Sequence, residues 1–122
     1  MIELPIPDAG VLSRRSQIVD ALREALPGAV IDDPAETRAY ECDALSAYRC
    51  APLAVVLPRT TGEVSRLLRL CHDLRVPVVP RGAGTSLAGG SMPTEDAVVI
   101  GLSRMTEVLE ISPEDRLIRV QA

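Results

Sequence analysis

Lysine, phenylalanine and tryptophan are all absent from this 122-residue chain, whose only rings are Tyr40, Tyr48 and the single histidine, His72. Each gap removes a class of function. Without lysine there is no Schiff-base nucleophile and no phosphate-gripping P-loop lysine. The 17 acidic residues outnumber 13 basic ones, all arginine, for a net charge of -4. With so few rings, the chain lacks the basic stripe or stacking platform of a nucleic-acid binder. No apolar run approaches the roughly 18 residues of a membrane-spanning helix. The opening from Met1 to Pro5 has neither the basic nor the apolar region of a secretory signal. These features predict a cytoplasmic protein with no membrane span. Cys42, Cys50 and Cys71 are odd in number and lack CxxC spacing, which argues against a disulfide framework or a zinc ribbon. A site built from Cys42, Cys50 and His72 would still need a fourth ligand, so no metal is expected, and the thiols read as buried or incidental.

What is present suffices for one modest domain with an aliphatic core, since 47% of residues are hydrophobic. Ile18, Leu22, Ala25 and Leu26 form one face of a helix over residues 13–26, stopped by Pro27 and Gly28. Residues 29–31 are a short strand candidate. Asp33, Pro34 and Glu36 supply the N-cap, first-turn proline and acid of a short helix reaching about Tyr40. Residues 41–51 show no period and read as loop. The run 53–57, closed by Pro58, is continuously apolar, the pattern of a strand covered on both faces. Thr60 and Glu63 make a capping box, opening a helix expected to bury Val64, Leu67, Leu68, Cys71 and Leu74. With a strand at 76–79, residues 53–79 predict a parallel β-α-β unit. A third buried strand follows at 97–100. Residues 107–111 and 116–120 flank the turn residues Ser112, Pro113, Glu114 and Asp115 as a hairpin.

The segment that demands a functional explanation is the loop at residues 80–90: Pro80, Arg81, Gly82, Ala83, Gly84, Thr85, Ser86, Leu87, Ala88, Gly89 and Gly90. It leaves the end of a parallel strand, where open α/β sheets place ligands. Its glycines let a ligand approach the backbone, and successive amides there can form an anion nest. Between Leu74 and Thr94 the chain carries Arg75 and Arg81 but no acid, a cationic island in an acidic protein. A pyrophosphate suits such a site. Two phosphate motifs fail on it. A Rossmann fingerprint would need glycine where Leu87 stands, and a helix that Gly89, Gly90 and Pro93 forbid. A Walker A loop would need lysine where Gly90 stands.

The loop, preceded by Val55, Val56, Leu57 and Pro58, by Glu63 and Val64, and by Val76 and Pro77, resembles the first half of the FAD-binding domain of FAD-linked oxidases, the vanillyl-alcohol oxidase or PCMH-type flavoprotein superfamily. Within it, residues 40–49 and 71–77 are most similar to the group that holds glycolate oxidase and D-lactate dehydrogenase. The resemblance runs from about residue 14 to the end. It implies an α+β fold: a small parallel β-α-β subdomain followed by the start of a second, mixed or antiparallel sheet. Residues 1–50 would be a helical lead-in and residues 51–122 the N-terminal part of the flavin domain. The cofactor implied is FAD, with the backbone of Arg81, Gly82, Ala83, Gly84, Thr85 and Ser86 on its pyrophosphate. Gly89 and Gly90 would lie toward the ribityl and isoalloxazine side, Val56, Leu57 and Pro58, at the end of the first parallel strand, would border the adenosine half, and Pro80 would open the cofactor-binding run. Covalent members attach the flavin through a histidine in this loop; Thr85 stands at the comparable place and His72 lies on the preceding helix, so the resemblance implies non-covalent binding by this segment and leaves attachment through downstream residues open.

The activity implied is oxidation of a 2-hydroxy acid such as glycolate or D-lactate, with hydride passing to flavin N5 and an electron-transfer subunit as partner. Catalytic residues are expected beyond residue 122, and none is assigned within the chain. Two other readings remain open: a non-catalytic nucleotide- or partner-binding module with a sheet edge at Val120, and a separate flavin-binding subunit. Individual residues also have plainer readings. The loop could be a glycine connector, and Arg81 could neutralise a carboxylate or a helix end. His72 reads as a half-exposed helix residue, and Arg49, Arg104, Arg116 and Arg119 as solvated surface. Asp43, Tyr48 and Arg49 could line the flavin site, with no spacing that argues for it.

Overall fold

The computed structural model describes residues 5–121. The opening at Met1 and the final Ala122, on which the sequence reading also drew, lie outside them. The chain opens with a short helix, α1 (Ala9–Ser13), capped by the Asp8 carboxylate, which accepts from the amides of Gly10 and Val11. It runs into α2 (Arg15–Ala25), so the helix expected over 13–26 begins earlier and is broken at Arg14. Then come β1 (Val30–Ile31) and α3 (Pro34–Thr37), the latter capped by Asp33 and continued by a 3-10 turn at Arg38–Tyr40. After an irregular stretch the order is β2 (Ala54–Val56), α4 (Thr61–Asp73), β3 (Val78–Arg81), β4 (Val98–Gly101), β5 (Val108–Ser112) and β6 (Leu117–Val120).

Four strands make one sheet in the order β1-β2-β4-β3, with β1 antiparallel at one edge and the other three parallel. The expected β-α-β unit is therefore parallel, but its two strands are not neighbours: β4 lies between them, pairing Val98 with both Ala54 and Val78. Apolar runs report that a strand is buried but carry no information about its neighbours.

Alternation along the strands sends side chains to two faces. Ala54, Val56, Val98 and Ile100 join Ile18, Leu22 and Leu26 of the α2 segment and Leu67 and Cys71 of α4 in the larger core. Val55, Leu57 and Val99 face the other way, packed by Ile31, Tyr40 and Val79. Residues before and after position 50 thus share one core and one sheet.

Local signals hold with specific adjustments. Thr60 Oγ1 accepts from the Glu63 amide at 3.2 Å, but the Glu63 carboxylate returns to the Arg59 amide, at 2.6 Å, rather than to that of Thr60. In α4, Leu68 is 48% exposed rather than buried, while Val64 and Leu74 are half-buried. The stripe that packs is Leu67, Leu70, Cys71 and Leu74, the i, i+3, i+4, i+7 face, and Leu68 stands about 100° around the helix from Leu67. The helix ends in a Schellman turn: the Arg75 amide donates to the His72 carbonyl and the Val76 amide to that of Cys71. Arg75 takes the left-handed conformation (φ 54°) usually given to glycine, and β3 starts two residues later than its apolar run.

Candidate functional site

The loop from β3 to β4 joins two parallel strands that lie side by side. A parallel connection must return the full length of the strand, and a helix usually does so. Here residues 82–97 do it without one. The first part of the loop therefore lies at the C-terminal edge of the parallel strands. The last part reaches the opposite edge, where Asp96 accepts from the Asp8 amide at 2.9 Å and from Thr94 Oγ1 at 2.6 Å. Burial works to raise the Asp96 pKa, but those bonds and one from its own amide outweigh it, so the carboxyl sits below its ordinary value.

The candidate residues separate by position. Pro80, Gly82, Ala83, Thr85, Ser86 and Gly90 are exposed at the edge, Arg81, Gly84 and Gly89 are half-covered, and Pro58 is fully buried where β2 exits. Gly84 and Gly89 take φ values of 72° and 74°, the left-handed region that favours glycine. Among the described residues, no hydrogen bond is made by the amides of residues 82–87, whereas the Ala88 amide is held by Ser86 Oγ at 3.2 Å. Donors without a partner among the described residues, in a largely exposed loop with a left-handed residue in it, suit an anion nest.

The Arg81 side chain does not reach outward. Its Nη1 donates to the Cys42 carbonyl at 2.7 Å, and its guanidinium lies 5.6 Å from the centre of the Tyr40 ring. The same guanidinium fills the space that a Cβ on Gly84 would need. Five residues on, the Ser86 carbonyl accepts from the Ala44 amide at 3.0 Å. Residues 40–45, which carry no periodic signal, are thus fastened to the glycine loop at two points.

Asp43, within that segment, is buried: Oδ1 accepts from the Leu45 amide at 2.8 Å, and Oδ2 finds no partner among the described residues. Arg49 pairs with Glu41 at 3.0 Å. A cleft of about 310 Å³ adjoins the start of the loop, lined by Gly82, Ala83, Leu102, Ser103, Met105 and Thr106. Its far wall, residues 102–106, lies between β4 and β5, where the sequence carries no motif that points to a site.

The other reactive groups stand apart. Burial pushes the Cys71 thiol in the core up to about 11. Burial first, then Glu95 and Asp96, raises that of Cys50. His72 is exposed on the last turn of α4. Among the described residues no three His, Cys, Asp or Glu side chains are grouped to hold a metal, and no helix is long and apolar enough to cross a membrane.

Residues 52–122 match the sequence model of a family described as FAD binding domain. Glycolate oxidase subunit GlcD of Escherichia coli K12 is 49% identical over 108 residues, covering 88% of this chain and 22% of that protein. The mitochondrial D-2-hydroxyglutarate dehydrogenase of Bos taurus is 35% identical over 102 residues, covering 84% of this chain and 19% of that one. The chain therefore spans about a fifth of the length of these relatives. Among solved structures, an alkyldihydroxyacetonephosphate synthase aligns with a TM-score of 0.71 at 26% identity, over 91% of this chain and 22% of its own. p-Cresol methylhydroxylase aligns equally well, at 0.71, over 88% of this chain and 21% of its own; its 18% identity speaks to the fold alone.

Proposed function

The chain belongs to the FAD binding domain family, and from that premise we propose that residues 82–87, with Gly89 and Gly90, receive the pyrophosphate-containing part of FAD in an oxidoreductase acting on 2-hydroxy acids. The observation that carries this reading is the row of unpaired amides at residues 82–87. They lie at the C-terminal edge of the parallel strands, in a stretch free of acids. The residues present fit the group: the donors are neutral and without partners among the described residues, no carboxylate of the loop repels phosphate, and the exposed loop lets the anion approach.

When bound, the flavin supplies the two-electron acceptor for turning a 2-hydroxy acid into a 2-oxo acid. The work of this chain is to hold and orient it. The amides offer hydrogen bonds to phosphate oxygens, and Thr85 and Ser86 add hydroxyls. The cleft beside Gly82 gives an apolar wall from Leu102 and Met105 to exclude water. No acid-base pair is assigned in the segment, so proton transfer belongs to residues beyond it. Glycolate, D-lactate and D-2-hydroxyglutarate are the substrates to test first, because the names of the similar proteins carry those acids. A separate electron-accepting subunit is part of the same proposal, and so is the division into a lead-in up to residue 50 and a flavin-domain segment from residue 51.

The test is the visible spectrum of the intact polypeptide, followed by anaerobic addition of each acid. A flavin spectrum that bleaches with one of the three acids is the expected result; a protein that takes up no FAD would sink the reading. Gly84→Val should lose flavin uptake, because a β-branched side chain is strained at positive φ and collides with the Arg81 guanidinium. Undiminished flavin absorbance in that variant would show that the nest does not hold the cofactor.

A further inference from the structure

Arg81 is a partly covered cation next to the unpaired amides, and its partners are unusual. Both are neutral: the Cys42 carbonyl and the face of Tyr40. No carboxylate pairs with it among the described residues. Tyr40 is itself anchored, packing on Val55, Leu57 and Val99 on the sheet face away from α2 and α4. Its ring also lies beside Gly101, the register partner of Arg81 in β4.

A continuous column therefore runs from the sheet through the Tyr40 ring and the Arg81 guanidinium to the backbone of Gly84. A second tie, from the Ala44 amide to the Ser86 carbonyl, closes the other side of the loop.

We propose that Arg81 is a positioning residue: with Tyr40 and the 42–44 backbone it clasps the glycine loop from behind. The clasp holds the left-handed turn at Gly84, so that the amides of residues 82–87 face the ligand together. A guanidinium beneath the loop also keeps its charge unneutralised, because a carbonyl and a ring attract it without cancelling it. It thus adds to the field at the nest without touching the phosphate. This inference rests on the reading of the loop as a flavin pyrophosphate site, so its test separates the two.

The intact polypeptide, freed of flavin, is titrated with FAD by fluorescence quenching. Hydrogen exchange of the flavin-free protein is followed in peptides covering residues 42–46 and 82–87. The forms compared are the parent, Arg81→Ala, Tyr40→Leu and Tyr40→Phe. Losing a charge-assisted hydrogen bond predicts about tenfold weaker FAD binding in Arg81→Ala. Tyr40→Leu should weaken binding in the same direction although it touches no ligand, with faster exchange of both peptides, while Tyr40→Phe keeps the ring and the affinity.

Parent-like affinity and exchange in Arg81→Ala would overturn the clasp. Weakened binding in Arg81→Ala with parent-like binding in Tyr40→Leu would mean that Arg81 acts by contacting the ligand, and would overturn the positioning role. A parent that binds no FAD would defeat the pyrophosphate reading alone, since faster exchange in Arg81→Ala would still report the clasp.

Discussion

The four-stranded sheet and the β5-β6 hairpin are built from similar aliphatic residues with opposite outcomes. In β4 every residue is buried, and Val98 and Val99 have no exposed surface. In the hairpin, Val108 pairs with Val120 and Ile111 with Ile118 on one face, yet Ile111 and Ile118 remain 65% and 64% exposed. The other face carries the Glu110–Arg119 ion pair at 2.8 Å. The hairpin touches the connection between β2 and α4 through Gln121, whose Nε2 donates to the Arg59 carbonyl at 3.1 Å while its Oε1 accepts from the Glu107 amide at 3.0 Å. An apolar residue stabilises a fold only when something covers it. The covered sheet fixes where the glycine loop sits, whereas the hairpin reaches Arg59, just after β2, through a side-chain hydrogen bond from Gln121.

The largest effect expected from this contrast is in the helix layer over the sheet. Leu67→Ala empties a fully buried site between α4 and the strands and should destabilise the protein by about 2–5 kcal/mol. Urea denaturation of the two forms measures it; a loss as small as a surface substitution gives would mean that the helix layer is loosely packed.

Next in size is the carboxylate that pins residues 94–97 to the segment before α1. Its pKa lies below the ordinary 3.8, so the folded state favours the charged form. That contribution is fully present above the unfolded value and is lost as pH falls through the lowered folded one. Asp96→Asn should cost about 1–3 kcal/mol at pH 7 by weakening the bonds from Asp8 and Thr94. The gap between parent and variant should narrow toward pH 3, because only the parent loses this term there. Denaturation curves at the two pH values test it. A gap that widened in acid would reverse the assignment.

What could be foreseen follows the range of the interaction. Caps are local, so Asp33 and Thr60 marked their helices from sequence alone. Buried strands announced themselves as apolar runs, and the glycine loop by its composition. Three features depend on distant residues and left no such mark. The place of β4 between β2 and β3 is a matter of register across the chain. The burial of Asp43 and the role of residues 40–45 depend on Arg81 and Ser86, some forty residues away. Leu68 looked like a core residue by type, and only the direction in which α4 packs turned it outward. The left-handed turn that ends α4 falls on Arg75, with no glycine to announce it.

The smallest effect sharpens the contrast furthest. Ile118 and Leu67 are both aliphatic, so transfer free energy alone would rank them together. Ile118 already meets solvent in the folded chain, and its cross-strand contact with Ile111 is worth only about 0.2–1 kcal/mol relative to alanine. A two-stranded ribbon is marginal by itself, so little cooperative stability rests on it. In the 122-residue chain, Ile118→Ala should therefore shift the denaturation midpoint by less than about 1 kcal/mol, well below the Leu67→Ala loss. In a longer polypeptide that carries this chain, as the proposed function implies, the same substitution distinguishes two situations. A loss that stays small means the face remains open to water. A loss rising to about 2–5 kcal/mol, as at a core site, means a further part of the protein covers it, and the hairpin then belongs to a second core.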